Sequence, residues 1–262
     1  MGHSMVFNLY VPDWSLLSIS GTIFGLALGL MAIATESSNP TPYSKFGGKG
    51  SLPSKLAMFF IYSPSALIAL LYLNAVTTQR FYVLDIVTLL HFVKRLLEVA
   101  FVHIYTSKTD AGTTIAISST YALTSALNLA IVRRIPEDAF SNDWLTIGLL
   151  CAISGELING YHHILLRRLR TERKKNDSKG SYVLPRGGLF DYSVAPHYAA
   201  EQLTFIGIIL LSQNVVSVAI NFFPMIYLTL RAARTHEWYA AHLPEHEKVG
   251  LHRRARLIPG VW

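Results

Sequence analysis

Charge is scarce in this chain. Asp, Glu, Lys and Arg make up 15% of its 262 residues, where a water-soluble domain carries about a quarter. Cysteine is scarcer still: Cys151 is the only one, and it sits inside an apolar block. That excludes a disulfide framework and argues against a thiolate nucleophile or a zinc–thiolate centre. No G-x-G-x-x-G opens a helix after a strand, and Gly187–Gly188 reads as a loop pair, so a Rossmann domain is excluded and any nucleotide must sit within a helical body. Short segments of alternating polarity are missing as well, which excludes a membrane β-barrel. The start of the chain shows no basic stretch leading to a small-residue cleavage site, so the first apolar block is expected to be a retained span. MGHSMV lacks the Ser or Thr at position six that myristoylation wants.

What the chain does have is apolar sequence, 51% of all residues, in blocks near the ~20 residues a helix needs to cross a bilayer. Seven blocks stand out, at about 14–35, 55–75, 82–105, 114–132, 144–166, 197–213 and 215–233. The expected fold is therefore all-α: a polytopic membrane protein of about seven transmembrane helices, with 1–262 forming one domain. Gly21, Gly25 and Gly29 in the first block recur every four residues, a spacing that lets two helices approach closely. Loop 36–54 is full of turn formers and reads as a connector, or as a flap over a site.

The positive charges support that count. With seven spans, 18 of the 23 Lys and Arg fall on the side holding loops 36–54, 106–113, 167–196 and the C-terminal tail, the flanking Lys55 and Arg231 included. The other side holds Arg80, Arg133 and Arg134. This bias puts the N-terminus outside and the C-terminus in the cytosol. The net charge of +7 lies mostly beside membrane segments, so it suits a membrane surface or a phosphate-bearing ligand and not nucleic acid. The expected residence is the endoplasmic reticulum in a eukaryote, or the inner membrane in a bacterium.

Ionisable residues inside spans are the candidates for chemistry, because each is costly there without a partner or a function. His91, Lys94, Arg95 and Glu98 form one stripe on the third span, open to a salt-bridge ladder or a lined cavity. Glu156, Asn159 and His163 share a face of the fifth, which runs on into Arg167, Arg168 and Arg170. Arginine pairs bidentately with phosphate, so this end suits a diphosphate. His197 and Glu201 lie one turn apart in the sixth block, after the loop YVLPRGG. Arg231, Thr235 and Tyr239 line up on the seventh, with His236 beside them. The ten His do not form the repeated boxes of a di-iron site: only His162–His163 are adjacent, and His242–His246 is interrupted by Pro244. No metal is expected.

HFVKRLLEVAFVHIYT (91–106) resembles the signature of very-long-chain trans-2-enoyl-CoA reductases. YVLPRGGLFDYSVAPHYAAE (182–201) is similar to the shared C-terminal domain of the steroid 5α-reductase family, which includes those enzymes and the polyprenol reductases. LRAARTHEWY and RARLIP look like that domain's ending. The resemblance covers roughly 82–262. It implies a seven-helix membrane reductase that takes NADPH inside the bundle from the cytosolic side. It assigns Asn159, His163, Arg170, His197, Glu201, Arg231, His236 and Tyr239 to the cofactor, and Lys94, Arg95 and Glu98 match its motif in residue type, shared between cofactor and structure; Arg95 and Glu98 are read here with the cofactor, and Tyr62, His91 and Lys94 as the catalytic candidates. His163 stands where the steroid branch has Asp, and His197 where it has Asn.

The implied reaction reduces a C=C conjugated to a carbonyl in a lipid. Ile61 and Tyr62 replace the Gln-Glu pair of the steroid branch, and Phe92 replaces its Tyr. The resemblance thus favours a 2-enoyl-CoA, with lipid-elongation enzymes as implied partners, over a steroid or a polyprenol. Two other classes compete. A membrane methyltransferase using S-adenosylmethionine has a similar late His…Glu motif, and a non-catalytic scaffold or transporter could also have a polar interior.

Overall fold

The computed structural model describes residues 5–6, 9–38, 41, 50–75, 79–175 and 182–262. Most of loop 36–54, Lys179 and the side chains of Arg173, Lys174 and Lys175 lie outside the described residues, so the flap reading falls there too.

Apolar blocks become helices because a backbone in lipid must satisfy its own hydrogen bonds. Among the described residues, seven long helices occupy the seven blocks: α1 (Leu16–Glu36), α2 (Ser54–Asn74), α3 (Gln79–Leu97), α4 (Ala111–Val132), α5 (Asn142–Lys175), α6 (Pro196–Ser212) and α7 (Val215–His242), followed by a short α8 (Glu245–His252). A single π-helical turn, Glu98–Val102, extends α3. Four helices, α1, α2, α4 and α7, are long and apolar enough to cross a membrane. Of the others, α3 and α5 carry buried ionisable residues such as His91 and His163, and α6 has 17 residues, the buried Glu201 among them. Large apolar side chains such as Ile23, Leu30, Leu67, Leu71, Leu150 and Leu157 are exposed, while Asp85, His91, Glu98, Asn159 and Arg231 are buried. That inverted pattern belongs to a protein solvated by lipid. The chain is an all-α integral membrane protein.

Helix ends follow local rules. Ser15 caps α1 through a reciprocal pair with Ser18. Asp110 caps α4 through the Thr113 amide, and bonds from the Thr113 hydroxyl and amide hold its carboxyl below the usual range. Two strands of two residues, β1 (Leu52–Pro53) and β2 (Lys108–Thr109), pair antiparallel, and Ser54 Oγ adds bonds to Ser107 Oγ at 3.0 Å and Thr109 Oγ1 at 3.2 Å. A further short hairpin, Met5–Val6 with Leu9–Tyr10, precedes α1.

Two glycine-lined seams set the packing. Gly21, Gly25 and Gly29 turn toward α7, where a β-carbon on Gly25 would run into the Ala219 carbonyl and one on Gly29 into the Phe222 ring. α5 and α6 meet in the same way: a β-carbon on Gly207 would lie 2.6 Å from Ala152 N. Small residues supply this closeness because lipid gives helices no hydrophobic push together. α2 packs against α3 and α4.

Gly25→Ala is expected to lower the melting temperature in detergent sharply, because the obstacle is backbone and costs more than the ~1–3 kcal/mol of ordinary overpacking. Gly250→Ala in α8, whose β-carbon would meet only Leu184 at 3.5 Å, should be neutral or stabilising. Equal shifts in the two variants would show that the seam is looser than drawn.

Candidate active site

The stripe on α3 and the polar face of α5 meet in one buried network. His91 Nδ1 lies 2.5 Å from Glu156 Oε1. Lys94 Nζ reaches Asn159 Oδ1 at 2.6 Å, Glu156 Oε2 at 2.9 Å and Glu98 Oε1 at 3.2 Å. Arg95 donates to Glu98 Oε2 at 3.0 Å and to Tyr62 Oη on α2 at 2.9 Å. Glu98 Oε1 also lies 3.0 Å from His163 Nδ1. Two cations and two carboxylates thus balance without leaving the network, which is how such groups persist in a low-dielectric interior.

Asn159 links this network to α6 by donating to the His197 carbonyl at 2.9 Å. The His163 ring sits 5.6 Å from that of His197 and 4.7 Å from that of His103. The turn before α6 is fixed by Gly187 and Gly188 at φ +89° and +56°, a region glycine enters without strain. Leu189 N donates to His162 Nε2 at 3.0 Å, and Phe190 packs against His162 and His197. The tail returns over this turn, with Val194 N bonded to Ala255 O and Ser193 Oγ to Leu257 O.

Next to the network lies a cavity of about 200 Å³ among α1, α3, α4, α6 and α7. His91 and Glu201 line it together with Phe92, Tyr121, Phe205, Tyr227 and Leu228. Tyr62 is not a lining residue, but its ring contacts both Phe92 and Tyr121. A mostly apolar hollow with a few convergent polar groups is what a lipid site requires.

Of the residues expected at the site, Tyr62, His91, Lys94, Arg95, Glu98, Asn159, His163 and His197 are thus brought together, and Glu201 joins them at the cavity wall. Arg170 donates to the Ile104 carbonyl, beyond the end of α3. Three expectations are not met in this way. Arg231, expected at a cofactor, is 1% exposed and bonds Glu36 Oε1 at 2.6 Å and Thr41 O at 3.1 Å; a guanidinium so enclosed demands a counter-charge. Tyr239 is buried in an apolar cluster with Leu184, Val194, Leu243 and Leu251, because α7 has rotated it toward the tail. His236 is half-buried near Arg256 and His252, away from the network.

Sequence reasoning missed Tyr121, Thr124, Ser125 and Asn128 on α4, all of which line the cavity. Their three- and four-residue spacing was the available signal. Glu98, His103 and His163 offer ligand atoms within 4.8 Å of one another. The Arg95 guanidinium, 3.0 Å from the same carboxylate, opposes a second cation there, and ion pairing accounts for the cluster.

Fold and site together define a membrane protein with a mostly apolar hollow beside a charged, hydrogen-bonded core. The family model for 3-oxo-5-alpha-steroid 4-dehydrogenase matches residues 112–262, more than half the chain, and the chain belongs to that family, the steroid 5α-reductases. It is 37% identical over 114 residues to human 3-oxo-5-alpha-steroid 4-dehydrogenase 1, covering 42% of each chain. It is 36% identical over 125 residues to the Macaca fascicularis protein of that name, 46% of this chain and 44% of that one. It is 32% identical over 102 residues to steroid 5-alpha-reductase DET2 of Solanum lycopersicum, 37% of each. The chain thus spans less than half the length of these relatives.

Arg231→Met should strand the Glu36 carboxylate and cost about 3–5 kcal/mol, read as a loss of melting temperature in detergent. Adding Glu36→Gln should recover much of it. A double variant as unstable as the sum of the singles would mean the two side chains are not coupled.

Proposed function

We propose that the chain reduces a C=C conjugated to a ketone in a steroid-like lipid, using NADPH. The observation that carries this reading is the cavity, mostly apolar and lined in part by His91 of the charged network and by Glu201. The relatives, named as acting on 3-oxo-steroids, move the preference from a 2-enoyl-CoA to a fused-ring ketone. The loss of the Gln-Glu pair and of Tyr at position 92 then reads as a changed grip on the ketone, with Tyr62 and Tyr121 taking its place. We further propose that all seven long helices cross the bilayer as one domain, with the N-terminus outside and the network opening to the cytosol. The one-sided Lys and Arg distribution supports that orientation.

The network's chemistry fits the cofactor. Arg95 Nε is buried and has no hydrogen-bond partner among the described residues, so the guanidinium has a donor in reserve. Asn159, His163 and His197 add hydrogen-bonding groups at the α5–α6 seam. Arg170 supplies an exposed cation at the end where α5 leaves the bundle, suited to phosphate. Bound there, NADPH supplies the hydride.

The protein's own part is to stabilise charge and deliver a proton. As hydride reaches the β-carbon, negative charge grows on the ketone oxygen, and a preplaced donor lowers that barrier. Arg95 donates to Tyr62 Oη, and Tyr62, set against the cavity-lining ring of Tyr121, keeps its phenol proton for a hydrogen bond toward the ketone; the enolate so stabilised then takes a proton at its α-carbon, which restores the ketone. Lys94 holds Asn159 and Glu156 in place, and Glu156 in turn orients His91. Phe92, Phe205 and Leu228 keep water from the reacting carbons.

NADPH should raise the melting temperature of the purified protein, by ~2.7 kcal/mol of stability at a hundredfold excess over its dissociation constant. A shift with S-adenosylmethionine and none with NADPH would overturn the reading in favour of a methyltransferase. Among a 3-oxo-Δ4 steroid, a long 2-enoyl-CoA and a polyprenol, the steroid should be reduced fastest; preference for the thioester would restore the enoyl reading. Tyr62→Phe should lower kcat about 10²-fold or more and leave NADPH affinity in place. If Tyr121→Phe produced that loss instead, the proton donor would be Tyr121.

A further inference from the structure

The C-terminal tail ends in a surface that the proposed reaction does not use. Leu257 N and Ile258 N both donate to Trp262 O, at 3.1 and 3.2 Å, and Trp262 N donates back to Ile258 O at 3.1 Å. The closed turn carries apolar side chains on its outside: Ile258 and Trp262 are exposed, and Val261 is 76% exposed. Arg256 lies over the Trp262 ring, 5.1 Å from its centroid, and Arg253, three residues earlier, is exposed.

Helix α5 fixes the depth of this surface. Its exposed side is apolar through Leu157, Tyr161 and Ile164 and turns charged at Arg167 and Arg168. Leu189 N donates to His162 Nε2 at 3.0 Å, so the turn before α6 lies at that changeover, where Leu189 and Tyr192 are exposed as well. The tail is bonded to the same turn. Ala255 N donates to Tyr192 O at 3.0 Å, Val194 N to Ala255 O at 2.9 Å and Ser193 Oγ to Leu257 O at 2.7 Å. Ile258, Val261 and Trp262 therefore start from the apolar-to-charged boundary of the bundle. An aromatic and aliphatic knob with arginines at its base suits a bilayer surface at that level.

The charges on this face are lopsided. His236 stands near both Arg256 and His252. The acids within reach are taken: Glu237 pairs with Arg234 at 2.5 Å and Glu245 with Lys248 at 2.7 Å. Asp191, on the turn, accepts from Gly187 N at 3.0 Å and stands near Arg254. Among the described residues Arg253 and Arg256 make no ion pair. Like charges gathered beside an apolar knob are complementary to a phosphate that brings its own acyl chains.

We propose that the tail docks on the anionic phospholipids of the adjoining leaflet: Ile258, Val261 and Trp262 enter among the upper acyl carbons, and Arg253 and Arg256 hold headgroup phosphate. Docking braces the Tyr192–Val194 turn through the three bonds above, so the start of α6 is steadied from the membrane. This surface is independent of what the cavity binds.

The test places the intact protein in nanodiscs of acyl-brominated lipid, either phosphatidylcholine alone or mixed with phosphatidylglycerol. Subtracting the emission of Trp262→Phe isolates one of the four tryptophans. That emission should be quenched by the bromolipid, more strongly with phosphatidylglycerol, and protected from iodide in the buffer. Iodide quenching without bromolipid quenching would overturn the proposal. In detergent, soluble short-chain phosphatidylglycerol should raise the melting temperature at lower concentration than short-chain phosphatidylcholine, and Arg253→Gln should cut that preference about fivefold. An equal response to the two lipids, or an unchanged preference in the variant, would overturn the proposal too. So would inorganic phosphate acting as well as the short-chain lipid, which would make this a site for a free anion. The wild-type titrations stand even if a variant fails to fold.

Discussion

Glu98 is the residue through which the interior is tied. It faces Lys94 and Arg95 on its own helix and His163 on α5. Without that carboxylate the two cations would keep Glu156 and the more distant Glu201 as counter-charges among the described residues. Placement at the π-helical turn that ends α3 gives it this reach, since a single wide turn of this kind often re-aims side chains at functional sites. The remaining polar interior is arranged around the exchange: Tyr62 is held by Arg95, Asn159 by Lys94, and α6 by Asn159.

Charge balance also separates the site's two compartments. The network is dense in hydrogen bonds and carries full charges. The cavity beside it is mostly apolar and bounded by aromatic rings. His91 and Glu201 belong to the border between them. In the proposed reaction, such a border would let a polar cofactor and an apolar substrate meet without either being wholly desolvated by the wrong surroundings.

Much of this could be read from the chain. Apolar blocks located the seven long helices because a lipid-facing helix advertises itself over ~20 residues. Their ends were less legible. α5 continues to Lys175 and α7 to His242, beyond the expected 166 and 233, because a helix goes on through charged and polar residues where hydropathy falls away. The glycine face of α1 was visible at four-residue spacing, but its match on α5 and α6 was not, since Gly148, Gly155 and Gly207 are spread over two helices. The stripe on α3 stood out because four ionisable groups in one span are rare. The neutral face of α4 did not, because Thr, Ser and Asn cost little in a helix and leave a weak signal. The partner of Arg231 was out of reach of any local pattern, as Glu36 lies 195 positions away.

That last pair has a consequence for how the chain is assembled. Glu36 ends the first long helix and Arg231 sits in the last, and the glycine seam between the same two helices is equally remote in sequence. Neither half can be satisfied until nearly the whole chain has left the ribosome. Through most of synthesis α1 must wait with an unneutralised acid at its end and an unfilled glycine groove along its side. Closing the ring of helices is therefore a late event in biogenesis, and the nascent protein stays open at that side until α7 arrives.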